Sequence, residues 1–207
     1  MNLHIKDLTF AYGQKTPRIF EHFNLTVEQG QILAILGRSG SGKSTLLRII
    51  AGLETKAEGE ILLGDKVCQS RSVFTPVEKR NVGFVFQDYA LFPFLSVIDN
   101  IRFGQKKPDR EALANLLALT QLAGLENRYP HELSGGQQQR TALARSLAAD
   151  PAILLLDEPF SNLDTELVAD MRTDLKRIVR TRNMTTILVT HNLSDANHLA
   201  DQVLTLA

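Results

Sequence analysis

Gly37-Arg38-Ser39-Gly40-Ser41-Gly42-Lys43-Ser44 follows an almost wholly apolar run, Gln31-Ile32-Leu33-Ala34-Ile35-Leu36, and precedes Thr45-Leu46-Leu47-Arg48-Ile49-Ile50-Ala51. The apolar run has the length and composition of a strand buried on both faces, as in a parallel sheet. After the glycines, apolar positions return at helical spacing. Strand, glycine loop, helix is the context in which the pattern G-x-x-x-x-G-K-[ST] carries a mechanism. Gly37, Gly40 and Gly42 let the backbone curl so that successive N–H groups, Ser39's among them, face phosphate oxygens. The helix N-terminus at Ser44 and Thr45 adds its positive end. Lys43 supplies a point charge to the β and γ phosphates, and the Ser44 hydroxyl is a ligand for Mg²⁺. The stretch implies binding of a nucleoside triphosphate.

A second run, Ile153-Leu154-Leu155-Leu156-Asp157-Glu158, is an apolar strand ending in two carboxylates. In a parallel sheet its end lies beside the glycine loop, where a divalent cation needs an acidic partner. Asp157 is the natural metal partner, through water, and Glu158 can take a proton from an attacking water. Without the upstream loop the pair would read only as an acidic helix cap. Between the two runs stands Leu133-Ser134-Gly135-Gly136-Gln137. Ser-Gly-Gly opening a helix offers bare N–H groups and a hydroxyl, which is a second anion cradle. One triphosphate does not need two cradles from one chain, so the economical expectation is a symmetric dimer in which each chain supplies half of two sites.

The rest of the chain fits around these runs. Leu3, Ile5 and Phe10, then Phe23, Leu25 and Val27, alternate as strands separated by a turn at 12–17. Segments 58–63, 82–86, 185–190 and 202–206 also read as strands. From about 88 to 149 the character is helical, with Pro108 in a first turn, Gly124 as a stop, and a second helix over 136–149 ended by Asp150-Pro151. Leu167, Val168, Met171, Leu175, Ile178 and Val179 form a stripe with a period of 3.6 residues. Strands alternating with helices predict a parallel α/β sheet carrying a helical insertion.

Composition removes several classes. The 207 residues are 43% hydrophobic and 22% charged, which excludes a disordered chain. Lys plus Arg total 23 and Asp plus Glu total 23, so no overall charge draws the chain to nucleic acid or anionic lipid. Cys68 is the single cysteine, which excludes an internal disulfide and fits a reducing compartment. His4, His22, His131 and His198 show no metal-ligand spacing. No apolar run approaches the ~20 residues of a membrane span, and Lys6 and Asp7 interrupt the only apolar stretch of the start. The expectation is a soluble chain without a leader, whose dealings with a membrane run through a partner.

The Lys43 loop, the Leu133–Gln137 motif and the Asp157-Glu158 pair, in this order, resemble the nucleotide-binding subunit of an ATP-binding cassette (ABC) transporter over nearly the whole chain. The resemblance implies a P-loop NTPase core with a mainly parallel sheet, an N-terminal antiparallel β subdomain and an inserted α-helical subdomain. Core residues would be 1–87 and 151–207, and the helical part about 88–150. It implies ATP and Mg²⁺ as ligands and ATP hydrolysis as the activity. Tyr12 takes the place of the aromatic that stacks on adenine, although a half-buried tyrosine at a strand end is also an ordinary structural residue. Gln87 matches the glutamine that touches Mg²⁺ and the water, joining Ser44 and Asp157 around the metal. His191 matches the histidine at the γ-phosphate, and Glu158 the catalytic glutamate. Ser161-Asn162-Leu163-Asp164 matches the loop that crosses the dimer interface, with Asn162 where alanine is more usual. Ser134, Gly135, Gly136 and Gln137 match the signature that meets the partner chain's nucleotide.

Partners implied are a second ABC ATPase subunit, transmembrane permease subunits and, through them, a solute-binding protein, with no nucleic acid. The place implied is the cytoplasmic face of the inner membrane. The run from Pro76 to Arg80 through Phe103-Gly104, together with Leu133 to Arg140, looks most like bacterial importers of the ferric iron, polyamine, sulfate, molybdate or sugar class. Many of these carry a C-terminal β-rich regulatory domain, and this sequence stops at Ala207 before one. An exporter or lipoprotein-release role is the alternative. A soluble ATPase of DNA maintenance or translation fits less well: Lys43 and Ser134 are 91 residues apart without sustained heptads, and translation-type members usually carry two cassettes where this sequence shows one. Phe92, Phe94 and Leu95, around Pro93, serve equally as a groove edge for a partner helix or as subdomain core.

Overall fold

The computed structural model describes residues 1–206 apart from 14, 162 and 164, and omits the side chains of 165–167. The expectations for Asn162 and Asp164 therefore lie outside the described residues. Nine strands and six helices are assigned among those described. A parallel sheet is built from β3 (Ile32–Gly37), β6 (Val82–Val85), β7 (Ile153–Asp157), β8 (Thr185–Thr190) and β9 (Gln202–Leu206), in the order β6-β7-β8-β3-β9. An antiparallel sheet is built from β1 (Leu3–Phe10), β2 (Phe20–Val27), β4 (Glu58–Leu63) and β5 (Lys66–Gln69), in the order β2-β1-β4-β5.

The apolar runs form central strands because both of their faces are covered. Leu33 and Ile35, Ile153 and Leu155, and Ile187 and Val189 point to one face. There they meet Leu46, Leu47, Ile49 and Ile50 of α1 (Lys43–Ala51) and, beyond it, Leu3, Ile5, Phe10, Ile61 and Cys68 of the antiparallel sheet. Ile32 and Ala34, Leu154 and Leu156, and Leu188 point the other way. They pack on α4 (Gly135–Ala148), α5 (Thr165–Thr181) and α6 (Leu193–Leu199), with α2 (Val97–Gly104) and α3 (Arg110–Leu119) in the same core. This period-2 division explains why the runs read as continuously apolar.

Local details differ from the sequence reading. Asp109 caps α3 through a bond from Ala112 N–H, so Pro108 stands outside the helix rather than in its first turn. That helix ends at Leu119, where the Thr120 hydroxyl donates back to Leu116 O; Gly124, at φ +85°, belongs to a later turn. β5 is an addition to the strands read from the sequence, because its Lys-Val-Cys-Gln carries no clear alternation. Gly104 ends α2 where it touches α4: a Cβ there would lie 2.1 Å from Arg145 O.

Candidate functional site

Parallel strands deliver their carboxyl ends to one edge, and this edge gathers the chemistry. Gly37 ends β3, Asp157 ends β7, Thr190 ends β8 and Val85 ends β6. Asp157 pairs in register with Val189, so Glu158 and His191 emerge one and two residues later on neighbouring strands. Lys43, Ser44, Thr45, Gln87, Glu158 and His191 line one open cavity of about 480 Å³, together with Tyr12, Ile19, Ser39, Gly40 and Gly42.

The loop is shaped to cradle an anion. A Cβ on Gly40, at φ +83°, would meet nothing within 4 Å, whereas one on Gly42, at φ +91°, would strike Ile19 Cγ2 at 2.4 Å. One glycine therefore leaves the loop surface bare and the other lets the antiparallel sheet close on the loop from behind. Lys43 is 5% exposed, and its ammonium donates to the carbonyls of Gly37 (2.8 Å) and Arg38 (3.0 Å). Those bonds hold it across the loop and leave one of its three N–H donors for a ligand. The buried Ser41 hydroxyl has no hydrogen-bond partner.

Ser44 Oγ donates to Asp157 Oδ1 at 2.8 Å. Burial pushes the Asp157 carboxyl above its ordinary range, and Glu158 adds to that; the Ser44 hydroxyl, Arg48 and Lys43 pull it back. A buried carboxylate raised in this way gains from a cation. The adjoining serine and aspartate oxygens are hard donors of the kind Mg²⁺ takes. Among the described residues no group of three or more His, Cys, Asp or Glu side chains could hold a metal alone.

Glu158 sits at φ +44°, a left-handed conformation costly for a residue with a side chain. Its N–H bonds Val189 O at 3.0 Å, and the Ser161 hydroxyl donates to its carbonyl at 3.0 Å, so the turn is fixed from both sides. The carboxylate is brought to the His191 ring, with Oε2 and Nδ1 3.1 Å apart. Gln87 Nε2 reaches Ser161 Oγ at 3.5 Å. Tyr12 is 48% exposed; its ring meets Phe10 edge-on and its hydroxyl bonds Thr45 Oγ1 at 3.0 Å.

The signature residues are placed elsewhere. Ser134 caps α4 in a reciprocal box with Gln137, accepting from its N–H at 3.3 Å while Gln137 Oε1 accepts from Ser134 N–H at 3.0 Å. Ser134 to Gln137 do not line the cavity. Phe94 and Phe103 are 73% and 67% exposed around a partly covered Phe92, so the aromatic cluster of the helical region faces outward.

Three supporting residues escaped sequence reasoning. Ile19 backs the loop but belongs to no periodic run. Arg80, 2% exposed, donates to Ile49 O and Ile50 O at the end of α1 and to Thr75 O. Asp201 accepts from Ile32 N–H at 2.8 Å and pairs with Arg180, fixing the foot of β3. Charged residues read as solvated by default, and no spacing marks these two.

Residues 20–161 match the family model described as ABC transporter. A sulfate/thiosulfate import ATP-binding protein, CysA, of Brucella melitensis is 49% identical over 89% of this chain and 53% of its own length. A second such protein, from Rhizobium meliloti, is 43% identical over all of this chain and 58% of its own length. The chain thus spans little more than half the length of these curated relatives. A dimeric post-hydrolysis state of the ATP-binding cassette MJ0796, bound to ADP and Pi, superposes with a TM-score of 0.83 at 30% identity, over 99% of this chain and 94% of that one.

Proposed function

The chain belongs to the ABC transporter family, and from that premise we propose that it binds and hydrolyses ATP to power bacterial solute import by separate permease subunits. The observation that carries this reading is the convergence of Lys43, Glu158, His191 and Gln87 on one cavity beside the Ser44–Asp157 pair. Lys43 and the loop N–H groups hold the phosphates. Tyr12 stacks on the base, an interaction worth about 1–3 kcal/mol. Glu158 accepts a proton from the attacking water, which attacks the γ-phosphorus as the bond to the β-phosphate oxygen breaks, giving ADP and phosphate. His191, kept beside Glu158, steadies the γ-phosphate, and Gln87 orients the water. Ser44, Asp157 and Gln87 are the residues to hold Mg²⁺, which when bound neutralises charge on the phosphates.

Two chains close head to tail, the signature of each, Ser134 to Gln137, covering the nucleotide of the other, with Asp164 on the crossing loop. The dimeric form of MJ0796 supports the pairing of two chains. The exposed Phe94 and Phe103 cluster is a suitable surface for the permease. No described helix is long and apolar enough to cross a membrane. Working through that permease, the chain would sit at the cytoplasmic face of the inner membrane. The names of the relatives point to sulfate or thiosulfate as cargo.

Glu158→Gln is the experiment. Nucleotide affinity should persist, while turnover falls by about 10²–10⁴. Tagged and purified with ATP from detergent-solubilised membranes of its source cells, it should bring down a multi-span permease that Lys43→Ala does not retain. Wild-type turnover in Glu158→Gln would overturn the catalytic assignment. Recovery only with ribosomes or DNA factors would overturn transport.

A further inference from the structure

Behind the cavity lies a buried polar chain that the proposed reaction does not use. Thr190 and Asp195 are 2% and 3% exposed. The Thr190 hydroxyl donates to Asp195 Oδ2 at 2.7 Å and accepts from Asn192 N–H at 3.0 Å. Arg172, on α5, donates from Nε to Asp195 Oδ1 at 2.7 Å, makes a second bond to the same oxygen from Nη2, and reaches Ser194 Oγ at 3.3 Å. Its guanidinium lies 6.0 Å from the centroid of Phe160, two residues after Glu158.

Two features set this apart from an ordinary helix cap. The bonds straddle His191: Thr190 precedes it, Asn192 follows it, and one hydroxyl ties both. The imidazole is itself 62% exposed, and its one side-chain bond among the described residues is to Glu158. An exposed ring takes its direction largely from its backbone, and this network fixes the backbone on either side. A buried ion pair adds little to stability once desolvation is counted. Its consequence here is positional.

We propose that Thr190, Asp195 and Arg172 are positioning residues for His191 and, through Phe160, for the Glu158 turn, so that the two groups reach the γ-phosphate in fixed register. The inference rests on the proposed ATPase reading for its kinetic consequence, but not for its structural one. Thr190→Val keeps the shape and removes both hydroxyl bonds; Thr190→Ser keeps them.

In the full chain without nucleotide, the five histidine ring signals can be followed by NMR, with His191 assigned through His191→Ala. Thr190→Val should shift or broaden the His191 signal and leave His4, His22 and His131 in place. Turnover should fall about ten- to hundredfold, as for other small misplacements of reacting groups. Affinity for a fluorescent ATP analogue should stay within about twofold, because none of the three residues lines the cavity. Thr190→Ser should restore both readouts. Should Thr190→Val fail to fold, Asp195→Asn, which removes the charge and keeps an acceptor, takes its place. An unmoved His191 signal with wild-type turnover would overturn the proposal, as would a loss of turnover that matches only the unfolded fraction. If the wild type hydrolyses no ATP, the functional reading fails, and the ring signal still decides the positioning claim.

Discussion

The two anion cradles of this chain are built on the same principle and finished in opposite ways. At the glycine loop, α1 follows a buried central strand, Lys43 is 5% exposed, and the neighbouring strand ends bring Asp157, Glu158 and His191 to within reach of it. At Ser134, α4 also presents an N-terminus, but Ser134 is exposed and its hydroxyl is taken up by its own cap with Gln137. The first four N–H groups of a helix lack intrahelical carbonyl partners. The Ser134–Gln137 box satisfies Gln137 N–H, while the positive end of α4 remains off the cavity. One cradle is therefore joined to a cavity within the chain, whereas the other keeps its helix end apart from it; on the proposed dimer, the second serves an anion from the partner chain.

Gly135→Asp on the Glu158→Gln background should separate the two helix ends most strongly. An aspartate in the first turn suits the helix dipole, so the fold should not suffer. It would, however, set a negative charge where the proposed dimer brings a phosphate from a second chain. ATP-driven dimerisation, followed by analytical ultracentrifugation, should weaken by at least about a hundredfold, since juxtaposed like charges at an interface cost several kcal/mol. Binding of a fluorescent ATP analogue to the monomer should stay unchanged. Equal loss of both would place the signature inside the chain's own site.

The same contrast shows what could be read in the sequence. The loop, Asp157 and the central strands were legible because glycine spacing and unbroken apolar runs are local signals with one structural meaning. The distance between Ser134 and the loop was not, because it is set by how α2, α3 and α4 pack on one another. Gly104 against the Arg145 carbonyl belongs to that packing, and no periodicity announces it. His191 was placed by resemblance; the Thr190–Asp195–Arg172 chain behind it joins residues from three elements and left no motif. Arg80 and Asp201 were invisible for a simpler reason: a charged residue normally seeks water, and only tertiary structure shows it holding backbone carbonyls or an N–H instead.

Arg80 tests whether the loop side is rigid because of its scaffold. Burial lowers the guanidinium's pKa, and its bonds to Ile49 O, Ile50 O and Thr75 O offset the desolvation. Arg80→Met keeps most of the volume and leaves buried carbonyls short of donors. Urea unfolding should show a loss of about 2–4 kcal/mol. Turnover per folded chain should change little, because Arg80 meets the far end of α1 from Lys43. A large fall in nucleotide affinity would instead make the far end of α1 part of the cradle.

The smallest expected effect is at Asp201, at the foot of the strand whose head is the phosphate loop. Burial alone would raise its carboxyl, but the bonds from Arg180 and from Ile32 N–H, with the charges of Arg180 and Lys176, hold it below the ordinary range. A carboxyl lowered by folding adds stability that is fully present above its unfolded pKa, about 3.9, and is lost as pH falls through the lower folded value. Asp201→Asn keeps an acceptor for Ile32 N–H and removes the charge. Because the Arg180–Asp201 pair is partly exposed, the cost at pH 7 should be about 1 kcal/mol or less. Denaturant unfolding should show that gap constant down to about pH 5 and closing below about pH 4. A gap that survives at low pH would trace the effect to packing rather than charge. Unchanged turnover would separate the strand's anchor from the chemistry at its other end, whereas a coupled loss would mean that the loop's geometry is set along the whole length of β3.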